Sequence, residues 1–168
     1  MKLYLIRHAI AGNAKEDGSD AERPLTREGV KKFRRAVKGF MLLDPPIDVI
    51  FSSPYLRARQ TAEILAHDIE RAQRLPLTAH LEESLAPPGD VRSFLAAVAK
   101  ISPSARGVAA VGHEPILSGW IAALCGDGHG RYEMKKGAIA GIELAGGKEM
   151  KGELFMLAQP TLLRGLGR

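Results

Sequence analysis

The sequence predicts an α/β fold, a three-layer sandwich whose central sheet is largely parallel and ends in a C-terminal antiparallel hairpin. Short apolar runs of strand length alternate with segments of helical period along most of the 168 residues. The run GVAAVGH at 107–113 is built of small and β-branched residues before its histidine, as in strands buried on both faces. Two strand-like runs near the C-terminal end flank the glycine-bearing segment GGKEMKG, which indicates a hairpin.

The bulk properties are those of one soluble globular domain, and we expect residues 1–168 to form it. Hydrophobic residues make up 45% and charged residues 26% of the chain, as is usual for such domains. No stretch has the pattern of a signal peptide or a membrane-spanning helix, so we expect a cytoplasmic protein with no membrane partner. The single Cys125 excludes an internal disulfide and a multi-cysteine metal site.

The first half of the chain predicts three strands and two helices. The polar segment 11–25 is typical of a loop, and it leads to a helix capped by Thr26. A second helix is capped by Ser53, has Pro54 at its first position and ends near Ile69. The apolar face of the first helix consists of Val30, Phe33, Val37, Phe40 and Met41. The predicted strands cover 2–7, 47–53 and about 77–81.

The second half of the chain predicts the rest of the sheet and two more helices. Asp90 caps one helix, after a loop rich in proline and glycine. Pro115 opens the other helix, which carries Trp120 on its apolar face. The predicted strands cover 107–113, about 138–145 and 153–158.

Cationic and hydrogen-bonding residues follow three of the predicted strands. The first strand ends at Arg7 and His8, the second leads through Ser53 to Arg57, and the fourth ends at His113. The carboxyl ends of parallel strands meet at one edge of a sheet, where ligands bind. Arginine and helix N-termini both favour anions, and the arginine fork matches phosphate geometry. The pattern therefore predicts a phosphate site at this edge.

The same residues disfavour a metal centre. A zinc ion held by His8 and His113 would lie beside two arginines and would have no evident third ligand. We therefore expect neither a metal nor another cofactor. Histidine can form covalent intermediates, so one histidine can serve as the nucleophile and the other can stabilise the transferring group. We assign the nucleophile to His8 and a phosphate clamp to Arg7.

Three motifs resemble those of the histidine phosphatase superfamily: LIRHA near the N-terminus, SSPYLRARQTAEIL at 52–65 and VGHEP at 111–115. The family pattern is more often Arg-His-Gly where this chain has Ala9. The segments ERPLTREG, GHEPILSGWIAALCG and KKGAIAGIELAGG, with the short length, are similar to small SixA-type phosphohistidine phosphatases. The resemblance covers essentially the whole chain and implies a histidine phosphatase or phosphoglycerate mutase-like fold.

The resemblance also implies roles for individual residues. It makes His8 the nucleophile of a metal-independent reaction through a phosphohistidine intermediate, and it makes Arg7, Arg57 and His113 the groups that hold the phosphoryl oxygens. Asn13 and Arg23 would lie in the loop over the pocket and contact substrate. The implied partner is a phosphorylated protein, of the histidine phosphotransfer domain type, in bacterial signalling.

The general acid is an open question, with Glu82 and Glu83 as the candidates that follow the third strand. An alkoxide leaves poorly unless it is protonated, whereas the imidazole of a phosphohistidine is a better leaving group. A weak or missing acid would therefore favour P–N over P–O substrates. The alternatives are a phosphomonoesterase acting on a small metabolite, with one of these glutamates as its acid, and a non-catalytic module that binds phosphate or phosphoprotein.

A nucleic-acid partner is not expected. The basic segment KKFRRAVK at 31–38 avoids the apolar positions of its helix, which is typical of a solvated face. Aromatic residues make up only 5% of the chain and do not alternate with basic ones, so base stacking is poorly supported. The net charge of +5 favours an anionic partner without choosing its class.

Overall fold

The computed structural model describes residues 1–14, 18–74, 76–77, 79–145 and 151–168. A six-stranded sheet has the order β3-β2-β4-β1-β5-β6. The strands are β1 (Lys2–Arg7), β2 (Val49–Ser52), β3 (Ala79–Leu81), β4 (Gly107–Gly112), β5 (Ile139–Leu144) and β6 (Gly152–Ala158). The helices are α1 (Arg27–Met41), α2 (Leu56–Gln73), α3 (Val91–Ile101), α4 (Ile116–Cys125) and α5 (Pro160–Leu166). Short 3-10 turns lie at Asp20–Glu22 and Glu83–Leu85.

The sheet is parallel in its first four strands and antiparallel in its last two. Strands β1, β4, β2 and β3 pair in parallel, whereas β5 runs antiparallel to β1 and β6 antiparallel to β5. The predicted fold class is therefore confirmed, including the terminal hairpin. Residues 146–150 of its predicted turn lie outside the described residues.

Helices cover both faces of the sheet and form two apolar cores. On one face, α1, α2 and α5 pack around Phe33, Phe40, Leu65 and Leu163. On the other face, α3 and α4 pack around Phe94, Leu117 and Trp120 together with Leu3, Phe51 and other strand residues. The central strand β4 is buried along its whole length, as its small residues predict. No helix within the described ranges is both long and apolar enough to cross a membrane.

Most of the predicted helices begin directly after the residues that the sequence predicts as their caps. The Thr26 hydroxyl accepts a hydrogen bond from the Gly29 amide at 2.9 Å, and the Asp90 carboxylate accepts one from the Arg92 amide at 2.9 Å. Each satisfies an amide that has no partner inside the helix. The basic residues of α1 lie on its outer face, with Lys31, Arg34 and Lys38 exposed.

The predicted bounds of α2 are wrong at both ends. The helix begins at Leu56 after Tyr55, and the Ser53 hydroxyl accepts only a long 3.3 Å bond from the Tyr55 amide. The Ser53 side chain instead lies against His113. At the other end, the helix continues to Gln73 and stops where Arg74 adopts a left-handed conformation, with φ of 57°, a common way to end a helix.

The seven-residue helix α5 was not predicted. Pro160 occupies its first turn, and Leu163 is fully buried against α1. A side chain at Gly39 of α1 would place its Cβ 1.9 Å from the Leu163 carbonyl oxygen. Gly39 therefore permits the close approach of the two helices.

We expect Gly39→Ala to lower the free energy of unfolding by about 2 kcal/mol, because α5 must move away from α1. Urea denaturation would measure the loss. Gly119→Ala is the matched control, since a Cβ on this exposed helical glycine meets nothing within 4 Å. The control should raise the free energy of unfolding by up to about 1 kcal/mol through helix propensity. Equal effects of the two substitutions would contradict the packing explanation.

Candidate active site

Parallel pairing brings the three predicted strand ends together. The His8 amide donates to the Gly112 carbonyl at 3.0 Å, and the Ser53 amide donates to the Val111 carbonyl at 2.9 Å. These bonds continue the β1–β4 and β2–β4 ladders beyond the strands. His8, Ser53 and His113 consequently lie at the same edge of the sheet, and all three are buried.

Two hydrogen bonds determine the tautomer of His8. Its Nδ1 lies 2.8 Å from the Ala9 carbonyl oxygen, which can only accept, so Nδ1 carries the proton. Arg57 Nε donates to His8 Nε2 at 3.2 Å. An arginine nitrogen can only donate, so Nε2 presents its lone pair. The ring is therefore neutral, with an unprotonated Nε2 on the side of the buried arginine.

Arg57 lies at the start of α2 with only 6% of its surface exposed. Several contacts hold its side chain and backbone in place. Its Nη1 donates to the Asp20 carbonyl at 2.6 Å, and its Nη2 donates to Asp20 Oδ2 at 2.8 Å. The Thr61 hydroxyl donates to the Arg57 carbonyl at 2.6 Å and accepts from the Ala9 amide at 3.1 Å. The guanidinium carbon also lies 5.0 Å from the Tyr55 ring centroid, within the range of a cation–π contact.

His113 and Arg7 each leave a buried nitrogen without a hydrogen-bond partner in the described part of the chain. His113 Nε2 lies 2.8 Å from the Ser53 hydroxyl, and its Nδ1 is unpaired. Arg7 Nη1 donates to the Met134 carbonyl at 2.6 Å, and its Nε is unpaired. The two histidine rings are 5.1 Å apart. Buried polar groups are normally paired, so these nitrogens indicate a place for an anionic ligand.

The chain matches the family model of the histidine phosphatase superfamily, branch 1, over residues 3–86. An uncharacterized protein of Picosynechococcus is 34% identical over 169 residues, which cover 97% of this chain and 99% of the relative. The phosphohistidine phosphatase SixA of Escherichia coli is 30% identical over 126 residues, 74% of each chain. The chain belongs to the histidine phosphatase superfamily. Within this superfamily it is a phosphatase of the SixA type.

Solved structures agree with this assignment. The structure of the protein histidine phosphatase SixA complexed with tungstate has a TM-score of 0.82 and 27% identity, over 96% of this chain and 98% of that one. A phosphoglycerate mutase from Bacillus anthracis is 15% identical, with a TM-score of 0.70 over 99% of this chain and 96% of that one. The second likeness shows the fold alone, and it confirms that the fold is phosphoglycerate mutase-like.

Burial keeps both histidines of the phosphatase neutral. It is the largest cause that lowers the pKa of His8 from 6.5 to about 3. The charges of a protonated His113, of Arg57 and of Arg7 lower this pKa further, whereas the hydrogen bond to the Ala9 carbonyl raises it. Burial also lowers the pKa of His113 to about 4, with Arg57 and Arg7 adding to it and Asp20 opposing it. Two neutral imidazoles therefore lie among arginines at neutral pH.

Not every predicted site residue joins this cluster. Arg23 Nη1 donates to Asp20 Oδ1 at 2.8 Å and its Nε to the Gly12 carbonyl at 2.8 Å, so it supports the loop beside Arg57. Asn13 is exposed. Glu82 Oε1 accepts from the Ser84 amide and hydroxyl, at 3.1 Å and 2.7 Å, and Glu83 is exposed.

Sequence reasoning missed two polar residues that contact the cluster. Asp20 binds both Arg57 and Arg23, and Thr61 links Arg57 to Ala9. Asp20 comes from a segment of mixed polar residues with no periodicity, so the sequence held no signal for it. Thr61 lies four residues after Arg57, on the same helix face, and that spacing could have identified it. Among the described residues, no group of three or more His, Cys, Asp or Glu is placed to hold a metal ion.

We expect the folded protein to lose stability as the pH falls from 7 to 5, because the unfolded chain protonates His8 near pH 6.5 while the folded chain keeps it neutral to about pH 3. Wild type should lose about 1–2 kcal/mol more than His8→Asn over this interval. Urea denaturation in phosphate-free buffer at each pH would measure the difference. His129→Asn, at an exposed loop position, is the control. A His8→Asn protein with the wild-type pH slope would contradict the expectation.

Proposed function

We propose that this phosphatase hydrolyses phosphohistidine on a protein, through a covalent phosphoryl intermediate on His8 and without a metal ion. The observation that carries the proposal is the tautomer of His8. Nδ1 donates to Ala9, so Nε2 is unprotonated, and its lone pair accepts from Arg57 Nε. When substrate binds, this Arg57 N–H would turn from Nε2 to a phosphoryl oxygen and leave the lone pair to attack. A neutral imidazole of low pKa needs no base to activate it.

The first chemical step transfers the phosphoryl group between two imidazoles. His8 Nε2 attacks phosphorus, a new N–P bond forms, and the N–P bond of the substrate breaks. A substrate imidazole that carries a proton on its other ring nitrogen leaves as a neutral molecule. His8 becomes a positively charged phosphoimidazole, and its Nδ1–H bond to the Ala9 carbonyl oxygen stabilises that charge.

The second step returns His8 to its starting state. Water attacks phosphorus, the bond to Nε2 breaks, and phosphate leaves with the proton that the water loses. Three groups can donate to the charged oxygens of the transferring group: Arg57 Nε, Arg7 Nε and His113 Nδ1. The last two are buried and have no partner in the described chain. His113 Nδ1 carries the proton of the neutral ring when its Nε2 accepts from the Ser53 hydroxyl. Donors that are already oriented stabilise the transition state without further reorganisation.

The choice of a P–N substrate is supported by the position of the candidate acids. Glu82 already accepts two hydrogen bonds from Ser84, and Glu83 is exposed. Neither candidate glutamate among the described residues is therefore committed as an acid, and such an arrangement suits a leaving group that needs little protonation. The likeness to a phosphohistidine phosphatase of Escherichia coli supports the same substrate class, and we propose a histidine phosphotransfer-type domain as the partner.

The proposal is tested by phosphate release, with chelator present, from a phosphohistidine protein and from glycerol 3-phosphate. We expect turnover of the phosphohistidine protein, its loss by at least about a thousandfold in His8→Ala, and an acid-labile phosphoenzyme in wild type. His129→Ala should behave as wild type, because His129 is exposed outside the cluster. Preferred turnover of glycerol 3-phosphate would instead indicate a metabolite phosphomonoesterase. Phosphate binding without any turnover would indicate a binding module.

We expect Glu82→Gln to change kcat for the phosphohistidine protein by less than about threefold, far below the loss typical of a general acid. The glutamine oxygen can still accept from the Ser84 amide, so the 3-10 turn should persist. Steady-state kinetics and the pH profile of kcat/KM would measure the effect, with Glu83→Gln as the companion variant. A hundredfold loss with an altered basic limb would show that Glu82 is the acid.

A further inference from the structure

Asp20 is the carboxylate that contacts the arginine beside the proposed nucleophile. Its backbone carbonyl and its Oδ2 accept from the two terminal nitrogens of Arg57, at 2.6 Å and 2.8 Å. Its other oxygen, Oδ1, accepts from Arg23 at 2.8 Å. The carboxylate therefore lies between two guanidinium groups, while 58% of its side chain stays exposed.

The carboxylate acts as a fixed charge. Its hydrogen bonds to Arg23 and Arg57 hold the pKa of Asp20 below its ordinary value of 3.8, so it is ionised at neutral pH and cannot donate a proton. Arg57 faces His8 with Nε and Asp20 with its two terminal nitrogens. A phosphoryl group can therefore bind beside Nε while Asp20 keeps its contacts, and only one planar guanidinium separates the negative charge from His8 Nε2.

We propose that Asp20 determines specificity by its charge: it favours phosphoryl substrates whose leaving group is neutral or cationic, and it disfavours those with a second anionic group beside the phosphoryl group. This inference rests on the proposed function in that both concern the pocket at His8. Nothing in the reaction requires Asp20 to give or take a proton.

The number of charges in the pocket explains why a substrate with a second anionic group would bind less well than one with a neutral leaving group. Among the described residues of this cluster, Arg7, Arg23 and Arg57 supply three positive charges, and Asp20 removes one. The remaining two match a phosphoryl dianion. A carboxylate next to that dianion would lie near Asp20, with no further positive charge of the described cluster to balance it, whereas an imidazole adds no negative charge. Loss of the Asp20 charge would leave a third positive charge for such a carboxylate.

The test compares two phosphonates that cannot be hydrolysed. Ethylphosphonate and phosphonoacetate differ in that a carboxylate replaces a methyl group, and calorimetry can measure both dissociation constants at low ionic strength and at a pH where both are fully ionised. In wild type, phosphonoacetate should bind more weakly. Asp20→Asn retains an oxygen for Arg57, and it should strengthen phosphonoacetate binding roughly three- to thirtyfold more than ethylphosphonate binding.

Glu22→Gln is the matched control. Glu22 is an exposed acid in the same 3-10 turn and accepts no hydrogen bond from the described residues, so its substitution should leave the ratio of the two dissociation constants unchanged. The inference is overturned if Asp20→Asn changes both constants by the same factor, or if Glu22→Gln produces the same change in the ratio.

Two further features keep the test decisive. The wild-type ratio should fall towards one as salt screens the charge of an exposed carboxylate, and this measurement needs no substituted protein. A ratio near one at low salt overturns the inference even if Asp20→Asn does not fold. Because the ligands are not turned over, the test remains valid whether or not phosphohistidine is hydrolysed, so its failure is distinct from failure of the proposed function.

Discussion

The buried guanidinium of Arg57 is the group around which the site is organised. A cation that is 6% exposed is costly unless its N–H groups are satisfied. Its partners here are the His8 ring and the carbonyl and carboxylate of Asp20. The need to satisfy this one cation keeps His8 Nε2 unprotonated and holds the loop turn at 20–22 against α2.

The parallel half of the sheet makes this arrangement possible. The bonds from His8 to Gly112 and from Ser53 to Val111 extend the strand pairing by one residue, and they bring side chains from distant parts of the chain to one edge. The helices that follow β2 and β4 then start at that edge, with Arg57 and His113 beside their first turns. Side chains positioned by the ends of strands and by the first turns of helices are held more rigidly than side chains on loops.

Burial has opposite consequences for the two kinds of residue in the cluster. Burial lowers the pKa values of the two histidines to about 3 and about 4, so both rings remain neutral. Arginine cannot lose its proton, so it must find anionic or carbonyl partners. In the proposed reaction these two responses are complementary, because neutral imidazole provides the nucleophile and obligate cations receive the phosphoryl oxygens. Asp20 lowers the total positive charge by one.

The sequence by itself determined the alternation of strands and helices, the terminal hairpin and the residues that end the strands. Those features depend on local periodicity and on motifs at short spacing, and they predicted Arg7, His8, Arg57 and His113 as site residues. Only the tertiary structure placed Asp20 against Arg57, directed Glu82 to Ser84 and seated the short helix α5 on Gly39. The contacts of Asp20 with Arg57 and of α5 with Gly39 join residues far apart in the chain, which local periodicity does not reveal. The path of the loop that carries Asp20 depends on which distant group can satisfy its charge.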